Sequence, residues 1–151
     1  MPVVRVAERS ADVQWTGSLR EGGGTLNSGS GALHDLSVTW ASRAEQPGGK
    51  TSPEELLASA HAACYAMALT NTLVQAGSPS EEVHVTAVCT LDRTDTGLKI
   101  SSMTLSVRGR VPGITAEQFA ELAQRAEQGC PVSNAFRNNM EITVDAQLVS
   151  G

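Results

Sequence analysis

An α+β fold is the prediction from three features of this chain: short alternating segments before residue 50, two segments with helix-start signatures, and a strand-rich hairpin between them. Its 151 residues suffice for a sizeable core, and no internal repeat or long linker divides them, so a single domain over 1–151 is expected. In the first third, 12–16 and 32–40 favour strands of an antiparallel sheet, with a glycine-rich turn at Gly22-Gly23-Gly24 and a loop at Pro47-Gly48-Gly49. Ser52-Pro53-Glu54-Glu55 then opens a helix. Ser52 can cap it, Pro53 suits the first helical position, and Glu55 can close a capping box. Leu56, Ala60, Ala63, Met67 and Val74 recur at helical spacing, which predicts that this stripe faces inward with Cys64 among it, and Gly77 is a suitable terminator.

The second half repeats this grammar. Val83, Val85, Ala87, Cys89 and Leu91 alternate with mostly polar residues, and 98–111 is rich in strand formers, so the two segments form a hairpin. Thr115-Ala116-Glu117-Gln118 carries a second capping box, Ile114 and Phe119 are placed as a hydrophobic staple, and Gly129 ends that helix. Cys130-Pro131 opens a further short helix, whose N-H groups and positive dipole end would stabilise a thiolate at Cys130. A last strand is expected over 141–149.

Composition excludes several functions. The chain is 40% hydrophobic but only 3% aromatic, so Val, Leu, Ile, Ala and Met must build the core around the isolated rings of Trp15, Trp40, Tyr65, Phe119 and Phe136. A formal charge of -5 with singly scattered Lys and Arg lacks the basic stripe that displaces counterions, so nucleic acid is not an expected partner. No apolar run is long enough to span a bilayer and the first residues carry no signal-peptide core, so no membrane association and a cytoplasmic location are expected. In that reducing compartment, three cysteines argue against a static disulfide framework and leave catalysis, metal binding or packing.

The two informative cysteines are Cys64, in Ala60-His61-Ala62-Ala63-Cys64-Tyr65, and Cys130, in Cys130-Pro131-Val132-Ser133. Read alone, Cys64 on an alanine-rich helix favours packing, Cys130 stands evenly between packing and chemistry, and Cys89 fits the apolar face of a strand. Residues 44–51 pass a relaxed phosphate-loop pattern, but Ala44 replaces its first glycine and the flanking strands look antiparallel rather than βαβ. His61, one turn before Cys64, would permit a Cys/His acyl-transfer couple, against the plainer reading of a hydrogen-bonded helix histidine. His34, His61, His84 and the cysteines show no metal-ligand spacing; neither metal nor cofactor is expected.

Taken together, Pro53-Glu54-Glu55-Leu56-Leu57, Ala60-His61-Ala62-Ala63-Cys64, Cys130-Pro131-Val132-Ser133-Asn134-Ala135 and the Trp15-x-Gly17 opening resemble the OsmC/Ohr family, the osmotically inducible and organic-hydroperoxide-resistance proteins. The resemblance spans nearly the whole chain and is nearer to the osmotically inducible branch. It implies antiparallel sheets wrapped around two central helices, an intertwined homodimer, and a thiol peroxidase in which Cys64 attacks the hydroperoxide and Cys130 resolves the sulfenic acid as a disulfide. An external thiol or lipoyl dithiol would then restore the pair. An unperturbed thiol with a pKa of about 8.5 is only about 3% thiolate at pH 7, so Cys64 needs a cation close by. The resemblance supplies Arg43, with Arg20 as the counterpart in the other branch, and Glu54 as the carboxylate that orients the arginine. Glu54 precedes Cys64 by about 15 Å of helix rise, so it acts through Arg43 or from another subunit. Leu56, Leu57, Met67, Phe119 and Phe136 would give apolar walls suited to organic hydroperoxides. A redox-sensing or ligand-binding module on the same fold is the alternative.

Overall fold

The computed structural model describes residues 2–149. The chain divides into two units, one ending at Pro53 and the other beginning at Glu54.

The first unit is an antiparallel meander of β1 (Ala11–Thr16), β2 (Gly23–Ser28) and β3 (Leu36–Val38), followed by the short helix α1 (Trp40–Ala44). Two expectations change here. The glycine run is only partly a turn: Gly22 closes the β1-β2 connection, its amide donating to the Ser18 carbonyl at 2.8 Å, whereas Gly23 and Gly24 begin β2, and Trp15 pairs with Gly24, where a Cβ would stand 2.9 Å from the Trp15 ring and 3.0 Å from Val13. Glycine is what lets those side chains lie over β2. The strand expected over 32–40 stops at Val38, because Thr39 instead caps α1. Thr39 Oγ1 accepts from the Ser42 amide at 3.0 Å, and the Thr39 amide donates to Ser42 Oγ at 3.0 Å. With Ser rather than Glu or Gln at its third position, this capping box does not stand out in the sequence. Ser42 Oγ, now buried, also donates to the Thr51 carbonyl at 2.9 Å.

The second unit contains α2 (Pro53–Gln75), β4 (Glu82–Thr94), β5 (Gly97–Arg110), α3 (Ala116–Gly129), α4 (Pro131–Phe136) and β6 (Glu141–Leu148). α2 begins at Pro53 as expected and ends in a Schellman turn. Gly77 is left-handed (φ 81°), its amide bonds the Val74 carbonyl at 3.0 Å, and the Ser78 amide bonds the Leu73 carbonyl at 2.9 Å. The β4-β5 hairpin and the Thr115–Gln118 capping box also stand where the sequence puts them. The sheet is not purely antiparallel, since β6 runs parallel to β5. A parallel neighbour requires a crossover, and α3 with α4 provides it.

The core joins Tyr65, Leu69 and Leu73 of α2, Met103, Leu105 and Val107 of β5, and Phe119, Leu122, Ala123 and Ala126 of α3. Tyr65 donates its hydroxyl to the Ala123 carbonyl at 2.8 Å, tying the two long helices together. Phe119 is one of these core residues rather than a substrate wall: its ring tip would stand 2.5 Å from a Cβ at Gly109, so glycine makes room for it. The inward stripe of α2 differs from the expected one. His61, Tyr65, Leu69 and Leu73 are buried, whereas Ala60 and Ala63 are exposed and Met67 and Val74 are 70% and 54% exposed. α2 is apolar on both faces, so periodicity alone does not choose between them; the larger residues turn toward the sheet. Among the described residues, no helix is long and apolar enough to cross a membrane.

Candidate active site

Helix α3 ends at Gly129 and α4 starts at Pro131, so Cys130 is both the C-cap of one helix and the N-cap of the next, in extended backbone (φ -76°, ψ 118°) and fully buried. Pro131 has no N-H, which makes the Val132 amide the first donor of α4. That donor does not serve Cys130, whose side chain makes no cap hydrogen bond; it points at the sulfur of Cys64, half-buried on α2. The Cys64 and Cys130 side chains are themselves in hydrogen-bond contact. Burial pushes the Cys64 thiol up, the Val132 amide pulls it down, and Cys130 pushes it up again, both by accepting its proton and by its own charge when ionised. The net direction is upward. Within its own unit Cys64 is therefore positioned for chemistry but is not yet an activated thiolate.

One turn before Cys64, the fully buried His61 places Nε2 2.6 Å from Ser133 Oγ and packs its ring edge-on against Phe136, centroids 5.4 Å apart. Its Nδ1 is buried with no hydrogen-bond partner. An orphaned lone pair costs less than an orphaned N-H, so the proton is assigned to Nε2, which donates to Ser133. Burial pushes the His61 pKa below its usual value, only partly opposed by the charge of Glu127, and the ring is neutral. The Cys/His acyl-transfer couple is not built: neither ring nitrogen hydrogen-bonds Cys64.

Just before and just after α4 lie Glu127 and Arg137. Arg137 Nη1 is 3.0 Å from Glu127 Oε1, at an angle that makes an ion pair rather than a hydrogen bond. Arg137 Nη2 donates to the Glu127 carbonyl at 3.3 Å and to Asn134 Oδ1 at 3.0 Å, while Gln128 Nε2 donates to Glu127 Oε2 at 2.9 Å. Sequence reasoning passed over Val132, Glu127 and Arg137. Only Val132 left a signal, since a proline at the first helical position makes the next amide the leading donor.

Cys64 and Cys130 are thus brought together as expected. Arg43 sits half-buried in the last turn of α1 in the first unit, and Arg20 lies exposed between β1 and β2. Glu54 is buried in the first turn of α2. Because α2 is continuous from Pro53 to Gln75, Glu54 stands about 15 Å of rise from Cys64 of its own chain and does not touch it. Its charge is felt instead at Cys89, whose thiol burial pushes up and Glu54 pushes further, leaving a packed, protonated side chain. Residues 44–51 follow a helix rather than a strand, so the phosphate-loop context is missing. Among the described residues, no cluster of three or more His, Cys, Asp or Glu side chains is placed to hold a metal ion.

Residues 46–145 match the model of the family described as OsmC-like protein. The chain is 39% identical over 142 residues to Peroxiredoxin OsmC of Escherichia coli (strain K12), covering 94% of this chain and 97% of the relative. It is 32% identical over 113 residues to the organic hydroperoxide resistance protein OhrA of Bacillus subtilis (strain 168), covering 74% and 77%. Among solved structures it resembles an organic hydroperoxide resistance protein from Elizabethkingia anophelis with TM-score 0.76, at 27% identity and 97% and 100% coverage. OhrB of Bacillus subtilis follows with TM-score 0.73, at 26% identity and 91% and 98% coverage. A family match that takes in α2, both cysteines and the crossover, together with higher identity to the OsmC relative than to OhrA, leads to one conclusion: the chain belongs to the OsmC/Ohr family and stands closer to OsmC.

Proposed function

We propose that this protein is a cysteine-based peroxidase that reduces organic hydroperoxides. One observation carries the reading: Cys64 holds the leading amide of α4 at its sulfur while Cys130 touches it from the same turn. The names of its relatives, a peroxiredoxin and organic hydroperoxide resistance proteins, support the same chemistry. The Cys64 thiolate attacks the distal oxygen of ROOH, the O-O bond breaks, and the alkoxide takes a proton to leave as ROH. Cys64 is left as a sulfenic acid. The Cys130 thiol attacks it, water leaves, and a disulfide forms. An external dithiol of the lipoyl class reduces that disulfide through a mixed disulfide, itself becoming oxidised.

In this reading Arg43 supplies the cation that the upward-shifted Cys64 requires, and Glu54 orients that guanidinium. The functional form is a homodimer of single-domain chains in a reducing, cytoplasmic setting. Its support is apolar surface left open on each unit taken by itself, Met67 and Val74 on α2 and Val13 and Trp15 on β1. Dimerisation would also resolve the separation of Glu54 from Cys64, because the carboxylate and the thiol of different chains can then serve one site. Fully active monomers, obtained by dilution or by Met67→Glu, would refute that part.

The chemical test is to treat reduced protein with one equivalent of cumene hydroperoxide and measure intact mass with peptide mapping. A loss of about two mass units joining Cys64 to Cys130 is expected, since that bond requires Cα atoms within about 7 Å. Cys64→Ser abolishes peroxide consumption, whereas Cys130→Ser allows one turnover and leaves a trappable sulfenic acid. The opposite pattern exchanges the two roles, and oxidation confined to Cys89 removes the peroxidase reading.

A further inference from the structure

The cysteine pair is one rung of a two-rung contact between α2 and α4. His61 and Cys64 lie three residues apart on α2, and Ser133 and Cys130 lie three apart across the first turn of α4. Cys64 meets Cys130 and His61 meets Ser133, so the helices face each other with both rungs in register. α4 has six residues, far too few to hold its place by helix propensity. The position of Cys130 must come from contacts, and beside the contacts at Cys64 the second rung adds a fully buried side-chain hydrogen bond between the two helices.

We propose that His61 and Ser133 are positioning residues for the resolving step: their hydrogen bond fixes the register of α4 on α2, so that Cys130 captures oxidised Cys64 before a second peroxide does. Three observations support this over other uses of the pair. Both side chains are fully buried, so no substrate reaches them, and Glu127 acts on His61 through its charge without hydrogen-bonding Nδ1, so no serine, histidine and acid triad is formed. The Nε2 to Oγ distance of 2.6 Å is short for a bond between neutral groups. The Phe136 ring against His61 adds a second grip on the far end of the same short helix. The inference rests on the peroxidase reading for its biological meaning and on geometry alone for its mechanics.

The test separates the two. In stopped-flow experiments with cumene hydroperoxide, Ser133→Ala should leave the rate of Cys64 oxidation within about twofold of the parent. Disulfide formation should slow by roughly five- to tenfold, the worth of one net hydrogen bond. Sulfinic acid at Cys64 should accumulate at peroxide excess, where the parent gives disulfide. His61→Phe, which keeps a ring against Phe136 but has no donor, should behave alike, and His61→Gln, which restores a donor, should recover much of the resolving rate. Independently of peroxide, the equilibrium constant of the Cys64–Cys130 disulfide against dithiothreitol should fall by the same factor in Ser133→Ala and His61→Phe. A folded Ser133→Ala or His61→Phe protein with unchanged resolution and unchanged dithiothreitol equilibrium overturns the proposal. So does failure of all three variants to fold, because the rung would then be a stability element and nothing more. Parent protein that equilibrates with dithiothreitol yet ignores peroxide defeats the peroxidase reading while leaving the rung intact.

Discussion

Among the described residues of its own unit, the Val132 amide is the one contact that favours the Cys64 thiolate, so removing that N-H isolates its contribution. Replacing Val132 by its α-hydroxy analogue turns the amide into an ester and deletes the donor while keeping the side chain. It also avoids the strain that a second proline would impose on Pro131. A hydrogen bond to a charged acceptor is worth about 1.5–3 kcal/mol, and one pKa unit corresponds to about 1.36 kcal/mol. Cys64 is half-buried, so the lower part of that range applies and the thiol should titrate about one pH unit higher. The assay follows thiolate absorbance against pH in a Cys89→Ala, Cys130→Ser background, where Cys64 alone responds. Reaction with cumene hydroperoxide at neutral pH should slow roughly tenfold, and the gap should close at alkaline pH, where both proteins are thiolate. Val132→Ala, which keeps the N-H, should titrate as the parent does. An ester protein with an unmoved titration would show that the amide does not feed Cys64, and the reading of Cys64 as the attacking sulfur would lose its structural basis.

Three further outcomes are expected. Arg43→Ala should shift the pH–rate profile of Cys64 oxidation to higher pH, because burial then acts without the proposed cation; an unshifted profile removes Arg43 from the mechanism. The folded-state pKa of His61 lies below its ordinary 6.5, so between those values the unfolded chain binds the extra proton and stability falls as pH drops below about 6.5. Denaturant titrations at pH 7 and pH 5 should show this loss, and His61→Gln should flatten it. Arg137→Ala leaves the buried Glu127 carboxylate with Gln128 alone, which should cost about 2 kcal/mol after discounting for the part-exposed arginine, a fall of roughly 4–8 °C in Tm. Adding Glu127→Gln should return most of it; if the double variant melts no higher than Arg137→Ala, the ion pair is not what the substitution removed.

Local signals carried most of the fold. Pro53, Gly77, Thr115 with Gln118, and Gly129 mark helix ends through interactions that reach only a few residues, and each end stands where those residues put it. What failed depends on contacts distant in sequence. The parallel placement of β6 is decided by a crossover, the opening of β2 by the Trp15 ring above Gly24, and the inward face of α2 by which side chains fill the space over the sheet. α1 was missed for a local reason: its capping box ends in serine, and Trp40 favours a strand when read alone.

The same division governs the site. Helix-terminus reasoning found the donor at the start of α4 correctly and assigned it to the nearest sulfur in sequence, Cys130. An N-cap side chain serves the second or third amide of its own helix only when it turns back over them, and Cys130 does not: its side chain is buried and makes no cap contact. The vacant Val132 donor is instead taken by a sulfur from another helix. The donor that helix-terminus reasoning gave to Cys130 therefore serves Cys64, where it opposes the effect of burial without outweighing it. A sequence shows where a helix begins to offer donors; which acceptor receives them is decided by the packing that delivers a side chain from elsewhere, here by α2 laid against α4 with His61 holding the second rung.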